Sequence, residues 1–324
     1  MSERFTVSVA PMMDWTDRHC RVFHRALSRD VLLYTEMVVA DAVIHGPRER
    51  LLGFSDVEHP VALQIGGSDP GKLADATRIG AGFGYNEVNL NVGCPSDRVQ
   101  SGRFGACLMR EPELVAECVK AMRGATDVPV TVKCRLGVDD QDVRETLPRF
   151  IDVVAETGCK VFIVHARKAW LQGLSPKDNR TVPPLDYGLV RAMKARRSEL
   201  EIHLNGGLKT LAEGYREAEG LDGVMYGRAA YQDPWVLTGV DGDFAKTRED
   251  VVAGMVDYCR WCEGEGIRHH AILRHMLGLY AGQPGARVWR RYLSTESARM
   301  NAEGGTPAGI LQGAVEVMRE RAFA

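Results

Sequence analysis

Eight short apolar runs, each followed by a stretch with helical spacing, occupy the first two thirds of the chain. They are FTVSVAPM (5–12), VLLYTEMV (31–38), PVALQIGG (60–67), EVNLNVG (87–93), VPVTVKC (128–134), KVFIVHA (160–166), LEIHLNGG (200–207) and LDGVMYGR (221–228). Near-continuous apolar strands point to a parallel sheet buried on both faces, because a strand with one wet face would alternate. Segments such as EPELVAECVKAMRGA and DVRETLPRFIDVVAETG place apolar residues at helical spacing, with glycine near their ends. Eight such units in roughly 230 residues fit an α/β (β/α)8 barrel better than an open doubly wound sheet. Beyond residue 243 no strand run recurs, and REDVVAGMVDYCRWCEGEG, RHHAILRHMLGLYAGQPGARVWRRYLS and TPAGILQGAVEVMRERAFA read as helices. The expected organisation is a barrel over 1–243 and a small helical domain over 244–324.

The runs finish near Met12, Glu36, Gln64, Asn91, Lys133, His165, Asn205 and Gly227–Arg228, mostly on polar or titratable side chains. In a barrel these ends converge on one mouth, where the reaction sites of the fold lie. Asn205, Gly206 and Gly207 after the seventh run, and Gly227 and Arg228 after the eighth, suit a phosphate: backbone N–H groups can approach it and the guanidinium can bind it. A phosphorylated cofactor there would lie across Gln64, Lys133 and His165. A flavin needs amide partners for its pyrimidine edge and a cation near N1, and Gln64 and Lys133 suit those roles, with the Ala10, Pro11, Met12 turn against the ring. One terminal phosphate favours FMN over a dinucleotide. GGSDPGK (66–72) imitates a phosphate-binding loop, but Leu73 replaces the required Ser or Thr and Pro70 removes an N–H, so it reads as a helix start capped by Ser68 or Asp69.

Composition narrows the class. With 45% hydrophobic and 26% charged residues over 324 positions, the chain reads as a globular protein. No run of about 18 apolar residues suggests a membrane span, and the N-terminal stretch lacks the features of a signal peptide. The eight cysteines are scattered as reduced cytosolic thiols would be, so a cytoplasmic protein is expected. Cys259 and Cys262 lack partners at zinc spacing, and no structural metal is expected. The net charge of −2 argues against a uniformly basic nucleic-acid binder. From Arg268 to Arg299, however, six arginines face the single acid Glu296, so any polyanion site would be local.

Cys94 stands apart, displayed between Gly93 and Pro95 just past the fourth run. Together APMMDWTDRHCR (10–21), YTEM (34–37), HPVALQIGGSDP (59–70), NLNVGCPSDRVQSGRFGACLM (89–109), PVTVKCRLG (129–137), HARKAWLQGLSPKDNR (165–180), HLNGG (203–207), DGVMYGRAAYQDP (222–234) and RHMLGLYAGQPGARVWRRYLS (274–294) resemble the dihydrouridine synthases. The resemblance covers about residues 5–295 and is closest to the branch that acts on tRNA positions 20 and 20a. It implies FMN-dependent reduction of the uridine C5=C6 bond, with hydride to C6, a proton from Cys94 to C5, and NADPH as reductant. A free thiol, with a pKa near 8.5, is mostly protonated at neutral pH and can donate. The same resemblance implies FMN contacts from Ala10, Pro11, Met12, Gln64, Lys133, His165, Asn205, Gly206, Gly207, Gly227 and Arg228. Asn91 would face the uracil, and Lys177, Arg180, Arg287 and Arg290 would contact tRNA. A monomer is expected. Cys107 reads as packed within its segment, and Tyr226 beside Gly227 has no assigned role. The rival readings are an FMN barrel acting on a free pyrimidine, which has no use for the Arg-rich helices, and a non-catalytic RNA binder, which has no use for Cys94, Lys133 and His165 together.

Overall fold

The computed structural model describes residues 5–303 and 305–322. One compact unit comprises the described residues up to Met13 together with Leu32–Gly227. It contains eight strands: β1 (Thr6–Val9), β2 (Leu32–Val39), β3 (Val61–Gly66), β4 (Glu87–Val92), β5 (Val130–Arg135), β6 (Val161–His165), β7 (Glu201–Asn205) and β8 (Gly223–Tyr226). Each pairs in parallel with the next, and β8 returns to β1, so the sheet closes into a barrel as the eight runs imply. Register sets Asn91 beside Lys133 and His165 beside Asn205.

Alternate residues of each strand face the interior or the surrounding helices. On β4, Val88, Leu90 and Val92 are fully buried, as are Val115, Cys118, Val119 and Met122 of the helix Pro112–Arg123. Burying each such aliphatic side chain contributes about 1.5–3 kcal/mol. Inside, Ala10, Tyr34, Ala62, Ile163 and Met225 form an apolar cluster. The helix Pro70–Ala81 is capped by Asp69, whose carboxylate accepts from the Lys72 N–H at 2.8 Å, while the Lys72 ammonium pairs with Asp41. GGSDPGK is therefore the helix start that its proline suggests. Tyr226 is buried and donates to the Thr210 carbonyl at 3.1 Å, so its ring packs away from the mouth as a structural element.

The second unit joins Asp14–Val31 with the chain from Arg228 onward. Its main helices are Arg18–Leu27, Arg248–Gly264, Ala286–Glu303 and Pro307–Ala322. Asp17 pairs with His275 at 3.0 Å, the Ser28 hydroxyl donates to Asp241 at 2.5 Å, and Trp15 stacks on Tyr231 with centroids 4.3 Å apart. By packing, this unit thus begins at Arg228 rather than after 243, and it takes in the first inter-strand helix. Among the described residues no helix is long and apolar enough to cross a membrane.

Candidate active site

The Cys94 turn is built by the end of β4. The Asn91 side-chain oxygen accepts from the backbone N–H groups of both Gly93 (3.1 Å) and Cys94 (3.0 Å), which folds the chain back just past the strand. From the neighbouring strand Arg135 Nε donates to the Gly93 carbonyl at 3.1 Å. On the other side the Ala106 N–H bonds the Cys94 carbonyl at 2.9 Å, and a side chain at position 105 would meet that oxygen at 2.6 Å, so Gly105 is required there. Cys94 remains partly exposed, with its thiol 3.5 Å from the Ser96 hydroxyl. Asn91 Nδ2 donates to Gln64 at 2.7 Å, which leaves this amide one N–H for a ligand and no unused strong acceptor direction.

Beside this turn, on the next strands, lies a cationic half. Lys133 donates to Asn205 at 3.1 Å, and Asn205 is itself fixed by donating to the Met225 carbonyl at 2.7 Å. Burial, reinforced by Arg135, pushes the Lys133 ammonium down to about 8. His165 is buried, and its Nε2 has no hydrogen-bond partner. Burial, together with the charges of Arg135, Lys133, Arg167 and Arg180, holds this imidazole neutral well below its usual range. Gly206 adopts φ +114°, and an added Cβ would stand 2.6 Å from His165 Cδ2. The Gly206 carbonyl accepts from the Tyr187 hydroxyl at 2.6 Å. Such a set, with a partnerless buried nitrogen, a lysine short of a counter-charge and glycine backbone at close approach, fits a polar, anionic cofactor such as FMN.

Of the residues expected from sequence, Gln64, Asn91 and Cys94 are joined by hydrogen bonds, and Lys133 joins Asn205. His165 abuts Gly206. Ala10 and Met12 approach Gly227, since a Cβ there would lie 3.9 and 3.8 Å from them; Pro11 lies between them in the chain and Gly207 follows Gly206. Lys177 and Arg180 are exposed on the loop after β6, flanking Asn179, which is buried and bonded to Trp170 and to Arg135. Arg228, Arg287 and Arg290 belong to the second unit, where Arg287 and Arg290 are exposed on either side of buried Trp289. Cys107 is half-buried, donates to the Phe104 carbonyl at 3.1 Å, and has its thiol pushed up by burial. Sequence reasoning missed Asn89, which accepts from Gln64 at 2.8 Å, and Arg135. Both stand two residues from a recognised position on the same strand, and that period-two spacing is the signal that reveals them.

The chain is similar to known proteins over nearly its whole length. The dihydrouridine synthase family profile matches residues 8–311. The tRNA-dihydrouridine(20/20a) synthase of Xanthomonas campestris pv. campestris is 54% identical over 305 residues, spanning 93% of this chain and 91% of that protein. The protein of the same name from Shewanella oneidensis is 54% identical over 305 residues, spanning 92% and 90%. That of Escherichia coli O6:H1 is 51% identical over 324 residues, spanning 98% and 96%. With a closed barrel, a displayed Gly-Cys-Pro turn and similarity over nearly its whole length, the chain belongs to the dihydrouridine synthase family.

Proposed function

We propose that this protein reduces uridines 20 and 20a of tRNA to dihydrouridine, using FMN held at the barrel mouth and NADPH as reductant. The observation that carries the reading is the Cys94 turn, held by Asn91 and Arg135 just past β4, whose Asn91 pairs in register with Lys133. The relatives' names support tRNA as substrate and the two positions, and the family is in general flavin-dependent. The barrel is the proposed catalytic domain, and the helical unit carrying Arg287 and Arg290 is proposed to bind tRNA.

Gln64, Lys133, His165, Asn205, Gly206, Gly207, Gly227 and the Ala10–Met12 turn would hold FMN. Bound there, FMN would supply the hydride for C6, with NADPH as the source of reducing equivalents. Cys94 gives its thiol proton to C5, so one hydride and one proton saturate the double bond, and the thiolate left behind regains a proton from solvent. Lys133 would offer positive charge beside the flavin's pyrimidine edge. His165, held neutral by burial and its cationic neighbours, offers a hydrogen bond rather than a charge. The remaining N–H of Asn91 can donate to a uracil carbonyl. The uridine must leave its stack to reach the mouth, at a cost of a few kcal/mol, and phosphate contacts from Lys177, Arg180, Arg287 and Arg290 would offset that. The local basic segment, not the net charge, therefore governs binding.

Incubating unmodified tRNA transcript with protein, FMN and NADPH, then mapping dihydrouridine by nuclease digestion and mass spectrometry, tests the proposal. Dihydrouridine confined to positions 20 and 20a is the expected result. Reduction of free uridine or orotate with the tRNA left unmodified would overturn it.

A further inference from the structure

A continuous line of polar side chains descends from the Cys94 turn into the barrel. Asn91 Oδ1 is committed to two backbone N–H groups, so its Nδ2 must face Gln64 and donate to Oε1 at 2.7 Å. Gln64 Nε2 in turn donates to Asn89 Oδ1 at 2.8 Å, and Asn89 Nδ2 donates to Thr131 Oγ1 at 2.7 Å. The single hydroxyl proton of Thr131 then goes to Glu87 Oε1 at 2.5 Å, an oxygen that also accepts from the Tyr34 hydroxyl at 2.5 Å. Parallel register places the links side by side, with Gln64 beside Asn89 and Asn89 beside Thr131.

The line has one direction throughout. Turning any one amide sets N–H against N–H or oxygen against oxygen, and bulk solvent does not reach the line below Asn91, because Gln64, Asn89, Thr131 and Tyr34 are at most 1% exposed and Glu87 is 9% exposed. The direction requires an acceptor oxygen at its foot. Burial raises the Glu87 carboxyl pKa while the Thr131 and Tyr34 hydroxyls pull it back, and Oε1 accepts whether or not the other oxygen is protonated. Barrel interiors are ordinarily filled by layers of branched aliphatic side chains. A hydrogen-bonded polar line in their place contributes orientation that an apolar filling cannot.

We propose that Glu87, Thr131 and Asn89 are positioning residues: together they fix the orientation of the Gln64 amide against the cofactor and, through Asn91, the turn that presents Cys94. The purpose of that orientation rests on the flavin and tRNA reading above. The hydrogen-bond line itself does not.

Thr131 offers a clean test. Thr131→Val keeps the shape but removes both the proton given to Glu87 and the acceptor for Asn89. Thr131→Ser keeps both and removes only a methyl group. Two readouts are compared with wild type. One is single-turnover oxidation of the reduced, FMN-loaded enzyme by tRNA, with the tRNA Kd measured alongside. The other is iodoacetamide labelling of Cys94 in the flavin-free chain at fixed pH, located by peptide mass spectrometry. In Thr131→Val the single-turnover rate falls at least tenfold with the tRNA Kd within twofold, and Cys94 labelling rises at least threefold. Thr131→Ser stays within twofold of wild type on every readout, although it is the variant that leaves a void. Equal impairment in both variants, greater impairment in Ser, or wild-type behaviour in Val overturns the proposal. Should Thr131→Val not fold, Thr131→Ser and Glu87→Gln, which both keep an acceptor foot, must each retain the single-turnover rate within threefold, and a tenfold loss in either overturns it. If wild-type reduced enzyme ignores tRNA, the functional reading fails, and the labelling arm still decides the positioning role.

Discussion

Replacing Gly206 by alanine places a methyl group against the imidazole of His165, and the structure sets the size of the effect. At φ +114° the backbone is one that L side chains rarely adopt, and holding a residue in such a region costs about 1–3 kcal/mol. The new Cβ would lie 2.6 Å from His165 Cδ2 and 3.0 Å from Nε2. Ordinary contact begins near 3.4 Å, so the ring or strand must move by close to 1 Å, and overpacking of this kind costs a further ~1–3 kcal/mol. Gly84 provides the control. Its φ is +91° with nothing within 4 Å of the added Cβ, so alanine there suffers the backbone strain alone. Thermal unfolding of the flavin-free chain should therefore fall by about 2–4 °C per kcal/mol in both variants, and further in Gly206→Ala. FMN titration followed by flavin fluorescence should separate them more sharply. Displacing His165 by about 1 Å would break its hydrogen bond to the anionic cofactor, worth about 1.5–3 kcal/mol, so the Kd for FMN rises at least about tenfold in Gly206→Ala and stays within about twofold in Gly84→Ala. Equal FMN affinity in the two variants would show that Gly206 and His165 do not line the cofactor site.

Because Lys133 is charged below about pH 8 in the flavin-free barrel and neutral above it, FMN affinity should fall as pH rises past 8, by at most about tenfold per unit; Lys133→Met weakens binding at pH 7 and flattens the profile. The same depressed pKa penalises the folded, flavin-free chain fully below pH 8, and that penalty fades as pH climbs from about 8 toward the ordinary lysine value of 10.5, which a series of urea midpoints across this range would show as a rising contribution absent from Lys133→Met. Exposed Arg287 and Arg290, each changed to alanine, should leave FMN binding and stability within about 0.5 kcal/mol. Each change should weaken tRNA binding and lower the slope of log affinity against log salt by about one for every phosphate no longer neutralised; an unchanged slope would remove them from the tRNA surface.

Much of the site is legible because strand ends in a closed barrel must converge. Lys133 bonds Asn205 and His165 abuts Gly206 although these residues are far apart in the chain, and a list of strand ends anticipates both contacts. The Gly-Cys-Pro turn is legible from its residue types. The interior line is not. EVNLNV reads as an apolar run, and hydropathy cannot distinguish the wet-looking face of a strand from one turned into a barrel, so Glu87 and Asn89 pass as noise beside Asn91. The line emerges only when β3, β4 and β5 are set in register. The placement of Asp14–Val31 with the C-terminal helices is equally hidden, because pairs such as Asp17 with His275 join segments that lie about 260 residues apart in chain order. Chain order suggests a boundary near 243, whereas packing draws it at Arg228 and reaches back to the first inter-strand helix.

The central claim is that Cys94 protonates a uridine of tRNA during a flavin-dependent reduction. Anaerobic mixing of reduced, FMN-loaded protein with tRNA in a stopped-flow spectrometer tests it directly, with Cys94→Ala and Cys107→Ala run beside wild type. The flavin band should return in a single exponential with wild type and with Cys107→Ala, and about 10²–10⁴-fold more slowly with Cys94→Ala at unchanged tRNA affinity. Oxidation of Cys94→Ala at the wild-type rate would contradict the assignment of the acid, and a reduced flavin that tRNA leaves untouched in the wild type would contradict the function itself.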